Sequence, residues 1–330
     1  MKAVIYDHFG PAAEVLSLQD LPDPTPGPGE VVVDLAFSGV NPSDVKARAG
    51  ARPGVTKPPF PQIIPHSDGS GVISTVGTGV DPARIGEKVY IWNGQWQRPF
   101  GTAAEKIALP AAQAVTLPEG CSLEEGAVLG IPGMTAAWLI AGSGGVQGQT
   151  VLVQGGGGTV GYLAVQMARH AGARVLATCS PRDADRVSAA GAEHVFDYRA
   201  PDLAAQILSV AADGIDRVIE PEFGANIAVD TEILRPMGRI MAYGSALNMT
   251  PELPYGPIMF KAITIETVLV YLLTAQQRAV TQATLQTAFA AGALSLPVAS
   301  VMPLADSALA HDAVAAGGRA GAILLDCRTA

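Results

Sequence analysis

Little in this 330-residue chain carries charge: Asp, Glu, Lys and Arg make up 15% of it, and aromatic residues 5%. No run of Lys or Arg occurs, and the formal net charge is −9 with a pI near 5.0. Such a surface repels phosphate backbones, so no nucleic acid is expected as a partner. Every apolar stretch is interrupted by Gly, Pro or a charge before reaching the roughly 20 residues that span a bilayer, so no membrane is expected either. Cysteine is scarce too. Cys121, Cys179 and Cys327 are scattered, which argues against a disulfide framework and a Cys-cluster zinc site. Met1–Gly10 lacks the apolar segment and small-residue cleavage site of a secretory signal. These absences together predict a cytoplasmic protein.

What the chain does contain is apolar residues, 48%, with 37 glycines and 25 prolines. Its length exceeds what one compact core usually holds, so two domains are expected. The first third reads as β-rich: Glu30–Phe37 as a strand buried on both faces, then Gly69–Val80, Val89–Trp92 and Glu105–Leu109. From about residue 123 strand and helix patterns alternate. Helices are predicted at Glu124–Ala141 and Val160–Ala171. Strands are predicted at Thr150–Gln154, Ala173–Thr178, His194–Asp197, Ile215–Ile219 and Arg239–Tyr243. Such alternation implies parallel strands with helices on both sheet faces. The tail returns to mixed structure, with a strand at Ile263–Tyr271, a helix near Ala275–Ala291 and a last strand at Ala322–Asp326. The fold class is therefore α/β, with a doubly wound Rossmann domain, 124–266, inserted into a discontinuous β-rich domain, 1–123 and 267–330.

The strand Thr150–Gln154 runs into Gly155-Gly156-Gly157-Gly158-Thr159-Val160-Gly161. Gly156, Gly158 and Gly161 fit G-x-G-x-x-G: the first for a tight turn, the second for approach of a pyrophosphate, the third for close helix packing. Thr159 and Val160 open the helix whose free N–H groups and positive dipole end face that anion. NAD enzymes usually carry Asp or Glu at the end of the next strand, to bind the ribose 2′-hydroxyl. Here that place reads Thr178-Cys179-Ser180-Pro181-Arg182. Ser180 can donate to a 2′-phosphate and Arg182 can pair with it, so the expected cofactor is NADPH. Asp183 and Asp185 are expected in the first turn of the following helix, where carboxylates suit the dipole.

Val151–Ser180 resembles the cofactor motif of the zinc-independent medium-chain dehydrogenases/reductases, and most of all their NADPH:quinone oxidoreductase, or ζ-crystallin-like, branch. The resemblance covers the whole chain and includes Gly29–Val40 with Asn41-Pro42-Ser43-Asp44, His66–Val80, Ile131–Trp138, Phe196-Asp197-Tyr198 and Gly238–Ser245. It implies that the β-rich part is a GroES-like catalytic domain, with the active site in the cleft beside the Rossmann domain. It also implies that Asn41 lies near the nicotinamide and substrate, that Thr135 contacts the cofactor and that Tyr198 lies beside the adenosine phosphate. Tyr243, Gly244 and Ser245 would then lie beneath the nicotinamide ribose, and Val268 and Leu269 on the nicotinamide side.

The zinc-dependent branch of that family holds its metal with Cys, His and Cys. His66 stands at the His position, but Asn41 replaces the first Cys and Pro132 falls near the second. Catalytic zinc needs about three protein ligands, so no metal is expected, and His66 reads most simply as structural. Without a Lewis acid the natural acceptor is an activated one, a quinone or related conjugated carbonyl. Relatives often carry a tyrosine a few residues after Asn41. Val45, Lys46, Ala47 and Arg48 stand there instead, leaving the proton source open; Lys46 is a candidate, though an exposed loop lysine is the simpler reading. Trp92, Trp96 and Phe100 either shape an aromatic substrate pocket or pack in the core. The leading expectation is metal-free NADPH-dependent reduction of a quinone by direct hydride transfer. The alternatives are an enone or enoyl-thioester reductase and, in another class, an NADPH-binding structural or RNA-binding protein. The apolar strand Ile263–Tyr271 at a domain edge predicts a homodimer.

Overall fold

The computed structural model describes residues 1–51 and 54–329. The chain divides into two compact units, Met1–Ile131 with Leu296–Ala330, and Pro132–Ser295.

The first unit carries β1 (Lys2–Ile5), β2 (Ser17–Asp20), β3 (Glu30–Val40), β4 (Asp68–Val76), β5 (Lys88–Ile91), β6 (Lys106–Pro110) and β7 (Ala114–Thr116). The second carries β8 (Thr150–Val153), β9 (Arg174–Cys179), β10 (His194–Asp197), β11 (Ile215–Glu220), β12 (Leu234–Ala242) and β13 (Thr264–Thr267), and the chain ends in the first unit with β14 (Val298–Pro303) and β15 (Ala322–Asp326). In the first unit β1 pairs with β2, and the main sheet runs β14-β15-β3-β4-β5-β7 with β6 also on β3. β3 is at its centre. Nine of its residues are buried, Asp34 is exposed and Glu30 is intermediate, so this strand contributes to both sides of the sheet, as its weak alternation predicts. The core gathers Val4, Val31, Ile73, Ile91, Leu109, Leu304, Val314 and Leu325.

In the second unit six parallel strands run in the order β10-β9-β8-β11-β12-β13. Numbered within the sheet this is 3-2-1-4-5-6, the doubly wound order whose reversal point lies between β8 and β11. Leu152, Leu176, Ile207, Val218, Ile233 and Ile240 form its core.

The boundaries expected from sequence lie earlier than the observed ones at both ends. Residues 124–131 belong to the first unit, because the Ser122-capped turn Leu123–Gly126 lies on β4 and β5. Residues 267–295 belong to the second. The helix Ala275–Ala290 packs on Met134–Ala141, and Gln166 holds the Ser295 backbone through bonds of 3.1 and 2.7 Å. Ile263–Tyr271 is not one strand; β13 ends at Thr267, and Val270–Leu272 is a 3-10 turn. The predicted helix Glu124–Ala141 is likewise three pieces, Leu123–Gly126, a π-turn Leu129–Gly133 and Met134–Ala141. Pro132, inside the π-turn, has no N–H to continue an α-helical ladder.

Arg217 on β11 is buried and ties the end of Met134–Ala141 to the sheet. Its Nη1 donates to the carbonyls of Leu139, Ile140 and Gly142 at 3.2, 3.2 and 3.0 Å, and its Nη2 to those of Ser143 and Gly145 at 3.2 and 2.9 Å. A cation at a helix C-terminus satisfies carbonyls that lack intrahelical partners. The helix it anchors carries Thr135 in its first turn, buried.

Candidate functional site

In the second unit the glycine-rich segment forms the turn between β8 and the helix Thr159–His170. The left-handed residue is Gly155, at φ 66°, and not Gly156, to which sequence reasoning gave the tight turn. Gly155 N–H donates to Thr178 Oγ1 at 3.1 Å and Gly156 N–H to the Thr178 carbonyl at 2.8 Å, so the end of β9 pins the turn. Gly158 is the residue before the helix. Gly161 is the close-approach position: a Cβ there would sit 2.3 Å from the Gly155 carbonyl oxygen and 3.0 Å from Gly156 Cα. Thr159 and Val160 fall in the first turn, where backbone N–H groups are free to meet an anion.

Beyond β9, Ser180 opens a 3-10 turn Pro181–Asp183 and Arg182 is exposed. Asp185 is in the first turn of the helix Ala184–Ala189 as expected, while Asp183 closes the 3-10 turn at the N-cap of that helix and lies over the glycine loop, where a Cβ on Gly157 would be 3.0 Å from its Oδ2. Ser180 Oγ and Arg182 Nε each donate to Asp183 at 3.5 Å, and Arg186 Nη2 reaches it at 3.4 Å. Arg186 also donates to the Gly157 carbonyl at 2.5 Å and stacks over the Tyr162 ring at 4.6 Å. Two guanidinium groups thus meet at one carboxylate beside the loop. Sequence reasoning missed Arg186; its spacing of four from Arg182, one helical turn, is the signal that pointed to it. Tyr198, on the segment after β10, is about half exposed and carries Arg199 over its ring at 4.7 Å.

At the reversal point the chain ends of β8 and β11 meet a buried polar group. Gln154 Oε1 accepts from Thr178 Oγ1 at 2.6 Å, and Gln154 Nε2 donates to Asp230 at 3.1 Å. Glu220 accepts two bonds of 3.1 Å from Asn226 Nδ2. Burial raises the carboxyls of both Glu220 and Asp230, and each carboxyl is further affected by the other. Burial, with the charge of Glu220, also pushes the Tyr243 phenol up. Gly244 and Ser245 follow β12. Ser245 Oγ accepts from Gly224 N–H at 2.9 Å, and a Cβ on Gly244 would strike the Pro221 carbonyl. Val268, just past β13, is buried and Leu269 is half exposed.

The first unit holds a second polar cluster. Asn41 ends β3's segment and precedes the helix Pro42–Arg48. Its backbone N–H donates to Asp44 Oδ2 at 2.8 Å, and its side-chain Nδ2 donates to Asp68 Oδ2 at 2.7 Å. Asp68 is 1% exposed. Burial pushes its carboxyl well above the ordinary range, opposed by the Asn41 hydrogen bond, with the Asp44 charge adding to the rise. Sequence reasoning did not single Asp68 out, although an acid among the small and apolar residues of a strand start is the available signal. Lys46 is exposed as expected, but on the helix Pro42–Arg48 rather than in a loop.

His66 is fully buried, and its bonding pattern closes in one direction only. Thr102 Oγ1 donates to the Asp68 carbonyl, which can only accept. Its single proton being committed, Ser38 Oγ must donate to Thr102 at 2.9 Å. Ser38 then accepts from His66 Nδ1–H at 2.9 Å, and the bare His66 Nε2 accepts from His311 Nε2–H at 2.9 Å. Burial holds both imidazoles neutral. His66 lies well below its ordinary value, with His311 as a secondary cause, and His311 is lowered to about 4 by burial and then by the charge of Arg48. Both His66 nitrogens are therefore occupied, and among the described residues no group of three or more His, Cys, Asp and Glu is placed to hold a metal ion.

An apolar cavity of about 350 Å³ also lies in the first unit, lined by Tyr6, Phe9, Phe60, Ile63, Trp96 and Gln97 among others. Of the three aromatic residues expected either to shape a pocket or to pack in the core, Trp96 lines this cavity, Trp92 is buried, and Phe100 is half exposed and not in the lining. No helix among the described residues is long and apolar enough to cross a membrane.

A doubly wound sheet with a glycine-rich first turn, joined to a β-rich unit with a buried polar cluster, defines a dinucleotide-binding oxidoreductase fold. Residues 27–119 match the family model described as an alcohol dehydrogenase GroES-like domain, and residues 159–287 the one described as a zinc-binding dehydrogenase. Human quinone oxidoreductase is 31% identical over 331 residues, covering 98% of this chain and 97% of that protein. The human synaptic vesicle membrane protein VAT-1 homolog is 32% identical over 256 residues, 76% of this chain, and the match spans only 62% of that relative's length. A mycobacterial protein solved in complex with NADPH superimposes with a TM-score of 0.86 at 26% identity, covering 98% of this chain and 99% of that one. The chain belongs to the medium-chain dehydrogenase/reductase family, in its quinone oxidoreductase branch.

Proposed function

We propose that this protein is a cytoplasmic, metal-free reductase that uses NADPH to reduce a quinone or related conjugated carbonyl. The observation that carries the cofactor choice is the pair of guanidinium groups beside the glycine loop: Arg182 and Arg186 both reach Asp183, and no acid ends β9. A carboxylate at the end of β9 would repel a 2′-phosphate; two guanidinium groups attract one. The relatives named quinone oxidoreductase and the NADPH complex of a structural neighbour support the same reading.

When bound, NADPH supplies the hydride, and the protein's own groups bind, orient and exclude water. Gly158 leaves room for the pyrophosphate, Gly156 packs toward Val187 and Ala177 within the turn, and the N–H groups at Thr159 and Val160 meet the pyrophosphate charge. On this reading Asn41, Thr135, Tyr243, Gly244, Ser245, Val268 and Leu269 surround the nicotinamide half, and Ser180, Arg182, Arg186 and Tyr198 the adenosine half. The first-unit cavity with Trp96 suits a flat apolar ring. Zinc does not fit the donor set: Asn41 gives its amide to Asp68, and His66 has no free lone pair.

The test is NADPH and NADH oxidation across quinones, enones and aldehydes, with metal analysis. Quinone turnover with NADPH, unaffected by chelators, is expected, and Arg182→Ala with Arg186→Ala should raise KM for NADPH about tenfold or more while leaving NADH unchanged. Preference for NADH overturns the cofactor reading, faster turnover of enones overturns the quinone reading, and tight NADPH binding without turnover of any acceptor favours a binding protein. We also propose a homodimer. β13 is the edge strand of its sheet, and Met237, Leu247, Phe260 and Leu272 are exposed apolar residues of the same unit; a monomeric mass at micromolar concentration counts against it.

A further inference from the structure

We propose that Asp68 is a positioning residue for the hydride-transfer site, setting which edge of the Asn41 carboxamide is presented to the cofactor. This rests on the reading of Asn41 as the residue beside the nicotinamide.

The two edges of an asparagine amide have nearly the same shape, and only bonding partners distinguish them. At Oδ2 the Asp68 carboxyl is the acceptor, as a carboxyl oxygen bearing no proton is in either charge state. Asp68 Oδ2, 2.7 Å from Asn41 Nδ2, therefore draws the N–H edge inward and turns the oxygen edge the other way. The Asn41 backbone is fixed as well, through its N–H to Asp44 at 2.8 Å. Asp68 is held in turn. Its carbonyl ends the one-directional chain from His311 through His66, Ser38 and Thr102. Space for its carboxyl is left by Gly130, where a Cβ would sit 2.6 Å from Oδ1. No lysine or arginine bonds to this buried acid among the described residues, so its desolvation is not offset by an ion pair. An acid kept there at such a cost is accounted for by what it does to Asn41.

The test compares Asp68→Leu, Asp68→Asn, Asn41→Ala and the double variant Asn41→Ala/Asp68→Leu, with NADPH and the best quinone. Asp68→Leu should lower kcat about tenfold with KM for NADPH changed less than about threefold. Asp68→Asn, whose own side-chain oxygen still accepts from Asn41, should recover kcat to within about threefold of the parent. In the Asn41→Ala background Asp68→Leu should change kcat no further, because its effect passes through the amide. A folded Asp68→Leu enzyme with parental kcat, independent effects of the two sites, or failure of Asp68→Asn to rescue would each overturn the proposal. If Asp68→Leu does not fold, Asp68→Ala takes its place. If the parent binds NADPH but reduces nothing, the functional reading fails alone. The proposal is then decided on the emission of bound NADPH, which Asp68→Leu must shift in the parent and must not shift in Asn41→Ala. Failure of the parent to bind NADPH overturns both.

Discussion

The glycine turn of the second unit and the Asn41–Asp68–His66 cluster of the first are built in opposite ways. The turn is contiguous, residues 155–161, and its work is done by backbone: a left-handed Gly155, free N–H groups, and a missing Cβ at Gly161. The cluster draws on positions 38, 41, 66, 68, 102 and 311 and is made of side-chain bonds. A site written in backbone geometry is sensitive to an added carbon wherever that carbon would meet backbone, as at Gly161. A site written in side-chain bonds is sensitive instead to the protonation and identity of its partners.

The largest effect expected is at Gly161. Its absent Cβ would meet backbone atoms, which cannot rotate away, so Gly161→Ala must shift the helix Thr159–His170 or the Gly155 turn. We expect a loss of about 1–3 kcal/mol in stability, as for overpacked cores, and at least about a tenfold weakening of NADPH binding. Gly158→Ala is the control, because its Cβ would sit 3.5 Å from the Gly155 carbonyl, an ordinary contact. It should fold like the parent and weaken NADPH alone. Thermal melts with and without NADPH separate the two variants, and equal stability loss in both would contradict the backbone reading.

The same contrast explains what was legible in the sequence. The doubly wound sheet follows from local signals, apolar strands alternating with helical patterns, and the glycine pattern marks the turn because backbone demands act within a few residues. The exact strained residue, Gly155 rather than Gly156, was one place off, since four consecutive glycines leave the choice to tertiary contacts with Thr178. The helix Ala275–Ala290 was legible as a helix but assigned to the wrong unit, because periodicity says that a face is buried and not against what. Asp68 and His311 were invisible as partners: His66 and His311 are 245 residues apart in the chain. Arg186 lies four residues beyond Arg182, a spacing of one helical turn that is legible in the sequence.

The cluster should reveal itself through acid sensitivity, an effect of comparable size in stability. His311 is held near 4 in the folded chain against an ordinary value of 6.5. Its folded value is depressed, so the unfolded chain binds the proton first, and the stability that neutral His311 contributes is present above pH 6.5 and lost as pH falls toward 4. The loss is on the order of 3 kcal/mol by pH 4. His311→Gln keeps an N–H for His66 Nε2 without a titrating ring. It should start somewhat less stable at pH 7 and lose correspondingly less by pH 4.5. Urea unfolding at both pH values reads this difference, and equal acid losses in parent and variant would remove the histidine pair from the account.

The smallest effect belongs to the acid pair beneath the glycine turn, and has the opposite sign. Burial raises the Asp230 carboxyl above its unfolded value, with Glu220 adding to the rise. The folded chain therefore binds the extra proton, and stability is full below about pH 4 and falls as pH rises through the raised value. Asp230→Asn keeps an oxygen for Gln154 Nε2, 3.1 Å away, and brings an N–H edge toward Glu220 in place of a competing acid. The variant should gain up to about 1 kcal/mol at pH 8 and nothing at pH 4 in urea unfolding. Its NADPH affinity should stay within about twofold of the parent at pH 7, since Thr178 still holds the Gly155 N–H. A large affinity loss would show that the turn depends on side-chain partners as much as the Asn41 cluster does, and the division between a backbone site and a side-chain site would fail at that point.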